Sequence, residues 1–357
     1  MQILLKIRTT KNMILRSILA SLYLLVISPC LFAQTSDSAD HFLQKGLLEK
    51  QNGRRMESLR QFEKALKYDA NNKTIISELA LAYMDTRKYH NALESYKKLE
   101  ALGDNSAANY KQLLTLSFNL KQQDDVILYA GKLKKADPSE KVNYYVGKIH
   151  YDRENYGEAI QVLNDAAKED PVNAEVPYMI ARSYADMLNY KQSIPYFQKA
   201  IALDTTKPNW IYEMALVHYA MNDTKNTLKY MLEAAKKGLP KSNDYLENLG
   251  IAYLDAGDLE NGIKIMDEIL KRKPSDVNIL NMIAEAYYYK GKYNEAIDYW
   301  DKILSYDMKN ASALYMIGLS YQKKGDKEKG QLLCDKAIEM DPSLASLKQK
   351  KQMPGGL

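Results

Sequence analysis

The side chains able to do covalent or metal chemistry are few and scattered. The 357-residue chain has four histidines and two cysteines. His41, His90, His150 and His218 lie far apart, with no metal-ligand spacing around any of them. The sequence has no His-Glu-x-x-His, no Gly-x-Ser-x-Gly and no Cys-x-x-Cys. Gly131-Lys132 and Gly291-Lys292 lack the flanking glycine and the Ser or Thr of a phosphate-binding loop. Acidic pairs such as Asp124-Asp125 and Glu169-Asp170 fall where turns are expected, and carboxylates there cap helices. An enzyme is therefore not expected, and neither a cofactor nor a bound metal is implied. What the chain does hold is tyrosine, 28 against five phenylalanines, crowded most densely in AEAYYYKGKYNEAIDYWDKIL at 284–304. Tyrosine offers a large, stiff, amphipathic contact that loses little entropy on binding, which is the chemistry of recognition.

The elements that must carry these residues follow a leader-like N-terminus. Lys6, Arg8, Lys11 and Arg16 precede the apolar run SILASLYLLVI, then Pro29 and Ala33, the layout of a secretory signal peptide over 1–33. Met13 would also serve as a start, because MILRSILASLYLLVI is a sufficient leader by itself. Only 17 residues separate Arg16 from Gln34, the short limit for a membrane anchor, and Pro29 opposes lipid attachment at Cys30. The expected location is thus exported, periplasmic or envelope-associated, with no membrane span in the mature form. Residues 34–38 read as a linker. Without the four leader cations the formal charge of +5 falls to about +1, so no nucleic-acid partner is expected. With Cys30 in the leader, Cys334 is left by itself and a disulfide framework is excluded.

From residue 39 the chain matches itself at an offset of 34. Small residues recur at Gly46, Ala80, Gly147, Ala181, Ala215, Gly250, Ala284 and Gly318, with Leu114 the exception. Three residues on stand Tyr83, His150, Tyr184, His218, Tyr253, Tyr287 and Tyr321, which makes the two histidines substitutes for a packed tyrosine. Ala92, Ala159 and Ala296 precede Phe62, Tyr96, Phe197 or Trp300 in a second helix that also carries Ala65, Ala166, Ala200, Ala234 and Ala337; Pro138, Pro171, Pro274 and Pro342 close their copies. This resembles the tetratricopeptide repeat. The resemblance implies an all-α, right-handed superhelical solenoid of about nine helix-turn-helix repeats: 39–72, 73–106, 107–139, 140–173, 174–207, 208–242, 243–276, 277–310 and 311–344. Gly257, Gly291 and Gly325 fall at repeat position 15, where a left-handed residue would end helix A. Small residues at positions 8, 20 and 27 would let the two helices approach closely, with the large residue at position 24 filling the gap between neighbouring repeats. Length changes near 140 and 243 predict irregularities there. Residues 345–357 should provide a short capping helix and a disordered tail.

The resemblance also implies where a partner would bind, since helix A positions 2, 5, 9, 12 and 13 line the concave groove of such arrays. Position 5 holds Tyr144, Tyr178 and Tyr212, which stacking would turn into a ladder. Position 12 adds Tyr151, Tyr219 and Tyr288, position 13 Tyr289, and position 9 Lys148 and Arg182. The carboxylate clamp of some peptide-binding relatives is not matched, because Lys111 is followed by Thr115 where Asn is required. The expected function is a non-catalytic scaffold that binds an extended peptide or partner protein. Its rival is a carbohydrate or cell-wall binder, as tyrosine faces also stack on sugar rings. Partner identity and oligomeric state are not legible in the residues.

Overall fold

The computed structural model describes residues 37–346. The expected leader, the first part of the linker and the tail from 347 lie outside the described residues. Within them the chain is all-α and divides after Val172 into two compact units. The first holds α1 (37–51), α2 (Arg55–Tyr68), α3 (Lys73–Asp85), α4 (Tyr89–Ala101), α5 (Ala107–Asn119), α6 (Gln123–Ala136), α7 (Asn143–Asp152) and α8 (Tyr156–Glu169). The second holds α9 (Glu175–Asp186), α10 (Tyr190–Leu203), α11 (Pro208–Ala220), α12 (Thr224–Lys236), α13 (Asn243–Asp255), α14 (Leu259–Arg272), α15 (Val277–Tyr289), α16 (Tyr293–Tyr306), α17 (Ala311–Lys324) and α18 (Lys327–Met340). Odd-numbered helices are the A helices, and each packs on the B helix that follows it. No described helix is long and apolar enough to cross a membrane.

Short polar residues start and stop these helices. Asn72, Ser106, Ser242, Asp258, Asp276, Asn310 and Asp326 accept hydrogen bonds from backbone N–H groups in the first turn of the helix they cap. Six B helices end on an aspartate: Asp69, Asp137, Asp170, Asp204, Asp307 and Asp341. The carboxylates of Asp137, Asp204, Asp307 and Asp341 accept from the backbone N–H two residues on, at 2.9 to 3.1 Å, an Asx turn that launches the next repeat. The Ser139 and Thr206 hydroxyls, which donate to the same carboxylates at 2.6 Å, together with those backbone bonds hold Asp137 and Asp204 below the usual range.

The turn from helix A to helix B is left-handed at position 15 in all nine copies. Gly53, Gly257, Gly291 and Gly325 take it with φ between +73° and +100°, as expected of glycine. Arg87, Lys121, Glu154, Leu188 and Asn222 take it with φ of 58° to 60°, although each carries a Cβ that makes the region costly.

The close approach of A on B occurs at position 8. A Cβ on Gly46 would stand 2.5 Å from the Phe62 ring, one on Gly147 2.6 Å from Leu163, one on Gly250 2.9 Å from Met266, and one on Gly318 2.6 Å from Cys334 Sγ. Each contact joins positions 8 and 24 of the same repeat. The large residue at position 24 thus enters a socket left by the missing Cβ on its own helix A, and it also packs towards the next repeat, Phe62 sharing a core cluster with Ile75 and Leu79 and Trp300 with Ala313 and Ile317. Leu114, the exception at position 8, faces the exception at position 24 by the same register: Leu114 and Ala130 are both buried in one core cluster, large and small exchanged.

Three further differences concern boundaries. Asp37 and Ser38, assigned to the linker, are already helical, and Ala39 is buried one residue later. The expected irregularities near 140 and 243 lie inside the units rather than between them. At the first, α7 is only 10 residues long and Glu169 accepts from both the backbone N–H and the side-chain amide of Asn143. At the second, Gly238 ends α12 in the left-handed region and a loop runs to the Ser242 cap. The C-terminal cap begins as a 3-10 turn, Pro342–Leu344, whose Leu344 is buried against Ala311, Tyr315, Cys334 and Ala337.

Candidate binding face

Two of the side chains that invite a catalytic reading, His218 and Cys334, are packed into the core. His218 is buried and stacked on Tyr230, as Tyr184 is on Tyr196, and Tyr287 meets Tyr299 at a tilt, always position 11 against position 23 of one repeat. Its Nδ1 lies 3.0 Å from Asp223 Oδ2. Cys334 is buried, with Sγ 3.6 Å from the Tyr315 carbonyl. Among the described residues no group of three or more His, Cys, Asp or Glu is arranged to hold a metal ion.

In the first unit the candidate residues sit on the A face of α7. The Tyr144 ring lies 6.4 Å from Phe118 and 5.8 Å from Tyr145 between centroids. Lys148 pairs with Asp152 at 3.1 Å, one turn along its own helix, and Tyr151 packs on Tyr156 at 5.5 Å. Lys111 is held by Glu140 at 2.9 Å, and the Thr115 hydroxyl donates back to the Lys111 carbonyl, so neither stands as a clamp residue.

In the second unit the tyrosines are tied to the following repeat. The Tyr178 hydroxyl lies 3.0 and 3.1 Å from the two carboxylate oxygens of Glu213, and its ring stacks at 4.6 Å on Trp210. Asn248 donates to the Tyr212 hydroxyl at 2.8 Å. Both bonds run from position 5 of one repeat to position 6 of the next, so the hydroxyls stitch adjacent A helices together. At Tyr178 the ring's stacking partner is Trp210 of the next repeat. Arg182 stands 3.8 Å from Glu213. Burial pushes the Glu213 carboxyl above its ordinary value against the pull of Tyr178 and Arg182, and burial pushes the Tyr178 hydroxyl up to about 12. Tyr219 is exposed, and burial with the neighbouring Asp255 carboxylate raises its hydroxyl.

A recess of about 400 Å³ opens on the A face between α13 and α15. Ile251, Leu254, Met282 and Ala286 make it apolar, and Asp255, Glu285 and Lys290 give it polar margins. Tyr289 lines it with 79% of its surface exposed, while Tyr288 beside it packs against Tyr293 and Trp300. Ile251, Met282, Glu213, Trp210 and Asn248 were not singled out in the sequence. The stitches have a spacing of 35 or 36, visible only once position 5 is known to meet position 6.

These paired helices and their uniform A-to-B turns define a helical repeat protein. Family models for the tetratricopeptide repeat match residues 43–110, 212–277, 277–310 and 311–344, and the model described as anaphase-promoting complex, cyclosome, subunit 3 matches 119–200. The chain is built of tetratricopeptide repeats, which as a class mediate contacts between proteins. No curated protein sequence matches it. Similar solved structures include YrrB, described as a TPR protein with an unusual peptide-binding site, at 18% identity and TM-score 0.43, covering 54% of this chain and 98% of that one. MamA from Desulfovibrio magneticus RS-1 is 14% identical over 48% of this chain and 96% of that one, TM-score 0.41. Naa15/Naa10 bound to HypK-THB is 16% identical over 85% and 58%, TM-score 0.45.

Proposed function

We propose that this protein is an exported, non-catalytic scaffold that holds an extended peptide or a segment of a partner protein on its A-helix face. The observation that carries this reading is the apolar recess between α13 and α15, with the exposed Tyr289 at its edge and hydrogen-bonding groups at its margin. An exposed aromatic beside a recess of that size can seat one apolar side chain, while Asp255, Glu285 and Lys290 fix the main chain that carries it. Export rests on the leader-like first 33 residues.

The test is capture of envelope proteins by the tagged chain and by a Leu254→Asp, Tyr289→Ala variant. The variant should keep the helical circular dichroism of the wild type and lose the proteins the wild type retains. Unchanged capture by a folded variant overturns the reading of this face. A Tyr144→Ala, Tyr178→Ala, Tyr212→Ala variant tests the earlier repeats in the same way. N-terminal sequencing of the mature protein should begin at Gln34; a cytoplasmic product starting at Met1 or Met13 would remove export from the proposal.

A further inference from the structure

A further recess of the second unit, of about 900 Å³, lies on the other side, between the B helices α14 and α16. Its floor is apolar: Ile263 and Leu270 from α14, Leu280 from α15, and Pro274 from the connecting turn. Tyr287 and Tyr306 complete the wall. Four exposed lysines surround it, Lys264, Lys271, Lys292 and Lys302.

None of these ammonium groups has a carboxylate within ion-pair distance among the described residues. Lys292 and Lys302 rest over the Tyr287 and Tyr299 rings at 5.8 and 4.2 Å. This sets them apart from Lys50, Lys97, Lys111, Lys132, Lys134 and Lys148, each paired with an acidic side chain. The acidic residues of the cleft are Glu260 and Asp267; burial, with the Asp267 carboxylate nearby, pushes the Tyr299 hydroxyl up to about 12. The cleft therefore carries an excess of two positive charges over an apolar floor. Lys264 and Lys271 are two turns apart on one face of α14, roughly 10 Å at the helical rise per residue, so the cations are spaced and not contiguous.

That spacing selects among anionic ligands. A phosphate backbone or an anionic bilayer presents dense, continuous negative charge, which Glu260 would repel from the same wall. A peptide presents separated carboxylates with an apolar side chain between them, matching both the lysines and the floor. We propose that the α14–α16 cleft binds a short acidic segment of a partner protein, with an aliphatic or aromatic side chain on Ile263, Leu270 and Leu280 and carboxylates against Lys264, Lys271 and Lys302. This site meets the A-face recess at Leu259, which lines both, but its lysines lie away from that recess and the proposal does not depend on it.

The experiment uses the full chain and an array of short synthetic peptides in which Asp and Glu flank Leu or Phe in every register, with matched arrays carrying Lys and Arg. Acidic peptides should bind, and a Lys264→Glu, Lys271→Glu, Lys302→Glu variant should bind them about tenfold or more weakly, the scale of three reversed surface pairs. Tyr289→Ala should leave that binding unchanged, which separates this cleft from the A-face reading. A Lys→Gln series at the same positions covers the case in which charge reversal disturbs folding. The proposal is overturned if no acidic peptide binds, if binding survives the lysine substitutions, or if phosphatidylglycerol vesicles bind in a lysine-dependent way while the peptides do not.

Discussion

Leu188 shows how a single residue carries the repeat's geometry at a cost. It sits at position 15 with φ of 59° and 72% of its surface exposed, so it takes a left-handed conformation with little packing in return. A non-glycine residue in that region costs roughly 1–2 kcal/mol, and glycine's larger loss of chain entropy gives back part of the gain. Leu188→Gly should therefore stabilise the protein by about 0.5–1 kcal/mol, read as a higher denaturant midpoint at unchanged slope. A lower midpoint would mean that Leu188 packs more than its exposure indicates. The opposite holds at Gly46, where an added methyl group meets Phe62 at 2.5 Å inside a closed core. Gly46→Ala should cost roughly 1–3 kcal/mol by overpacking, measured in the same titration. The sequence distinguished these glycines from their neighbours by the 34-residue period alone. It did not reveal the five non-glycine left-handed residues, because side-chain type carries no trace of a turn that the surrounding helix pair imposes.

At the scale of the element, the helix hairpin is held by volume shared between positions 8 and 24. The third repeat looks weak in sequence because Leu114 and Ala130 both depart from the pattern, yet together they restore the summed volume. Leu114→Ala alone should cost about 2–3 kcal/mol as a cavity and Ala130→Leu alone about 1–3 kcal/mol as overpacking. The double variant should cost clearly less than the sum, with a coupling of at least about 1 kcal/mol in a double-mutant cycle; additive losses would show that the two positions do not meet. Between hairpins of the second unit, Tyr178 and Glu213 make a stitch whose charge is unfavourable to burial. Because burial raises the folded carboxyl above its ordinary 4.5, the folded chain holds that proton more tightly than the unfolded chain does. Stability of the wild type relative to Glu213→Gln should therefore rise as pH falls through the raised value and level off near 4.5. Thermal melts of both proteins from neutral pH to about pH 4 check this, and a difference that falls with acidity would reverse the assignment. Periodicity marked the helix faces, so Tyr178 and Tyr212 could be placed from their spacing. Which acceptor or donor meets each hydroxyl is set by the offset between adjacent A helices, and a one-dimensional period does not contain it.

For the whole molecule, stability in such an array is a sum of hairpin and nearest-neighbour terms, so loss of one repeat should weaken the chain without abolishing its fold. The chain's two tryptophans make this testable, because both are buried and lie in different repeats: Trp210 in α11 and Trp300 in α16. Trp300 is fully buried in a cluster that includes Ala313 and Ile317 of α17, and its indole N–H donates to Asn281 at 2.8 Å. Trp210, two repeats before Trp300, is stacked on Tyr178 of the repeat preceding its own. A chain ending after Asn310 removes α17 and α18 and uncovers that part of the Trp300 environment while leaving the Trp210 stack intact. In a Trp210→Phe background the truncated protein should show red-shifted emission and an unfolding midpoint below that of the full chain. In a Trp300→Phe background the emission of Trp210 should be unchanged in the folded protein. If truncation shifts both tryptophans together and erases the helical signal, the last hairpin is required for the fold of the unit and the nearest-neighbour description fails. If neither shifts, Trp300 is enclosed by its own repeat and the preceding one, and the shared cluster with α17 contributes nothing to its burial.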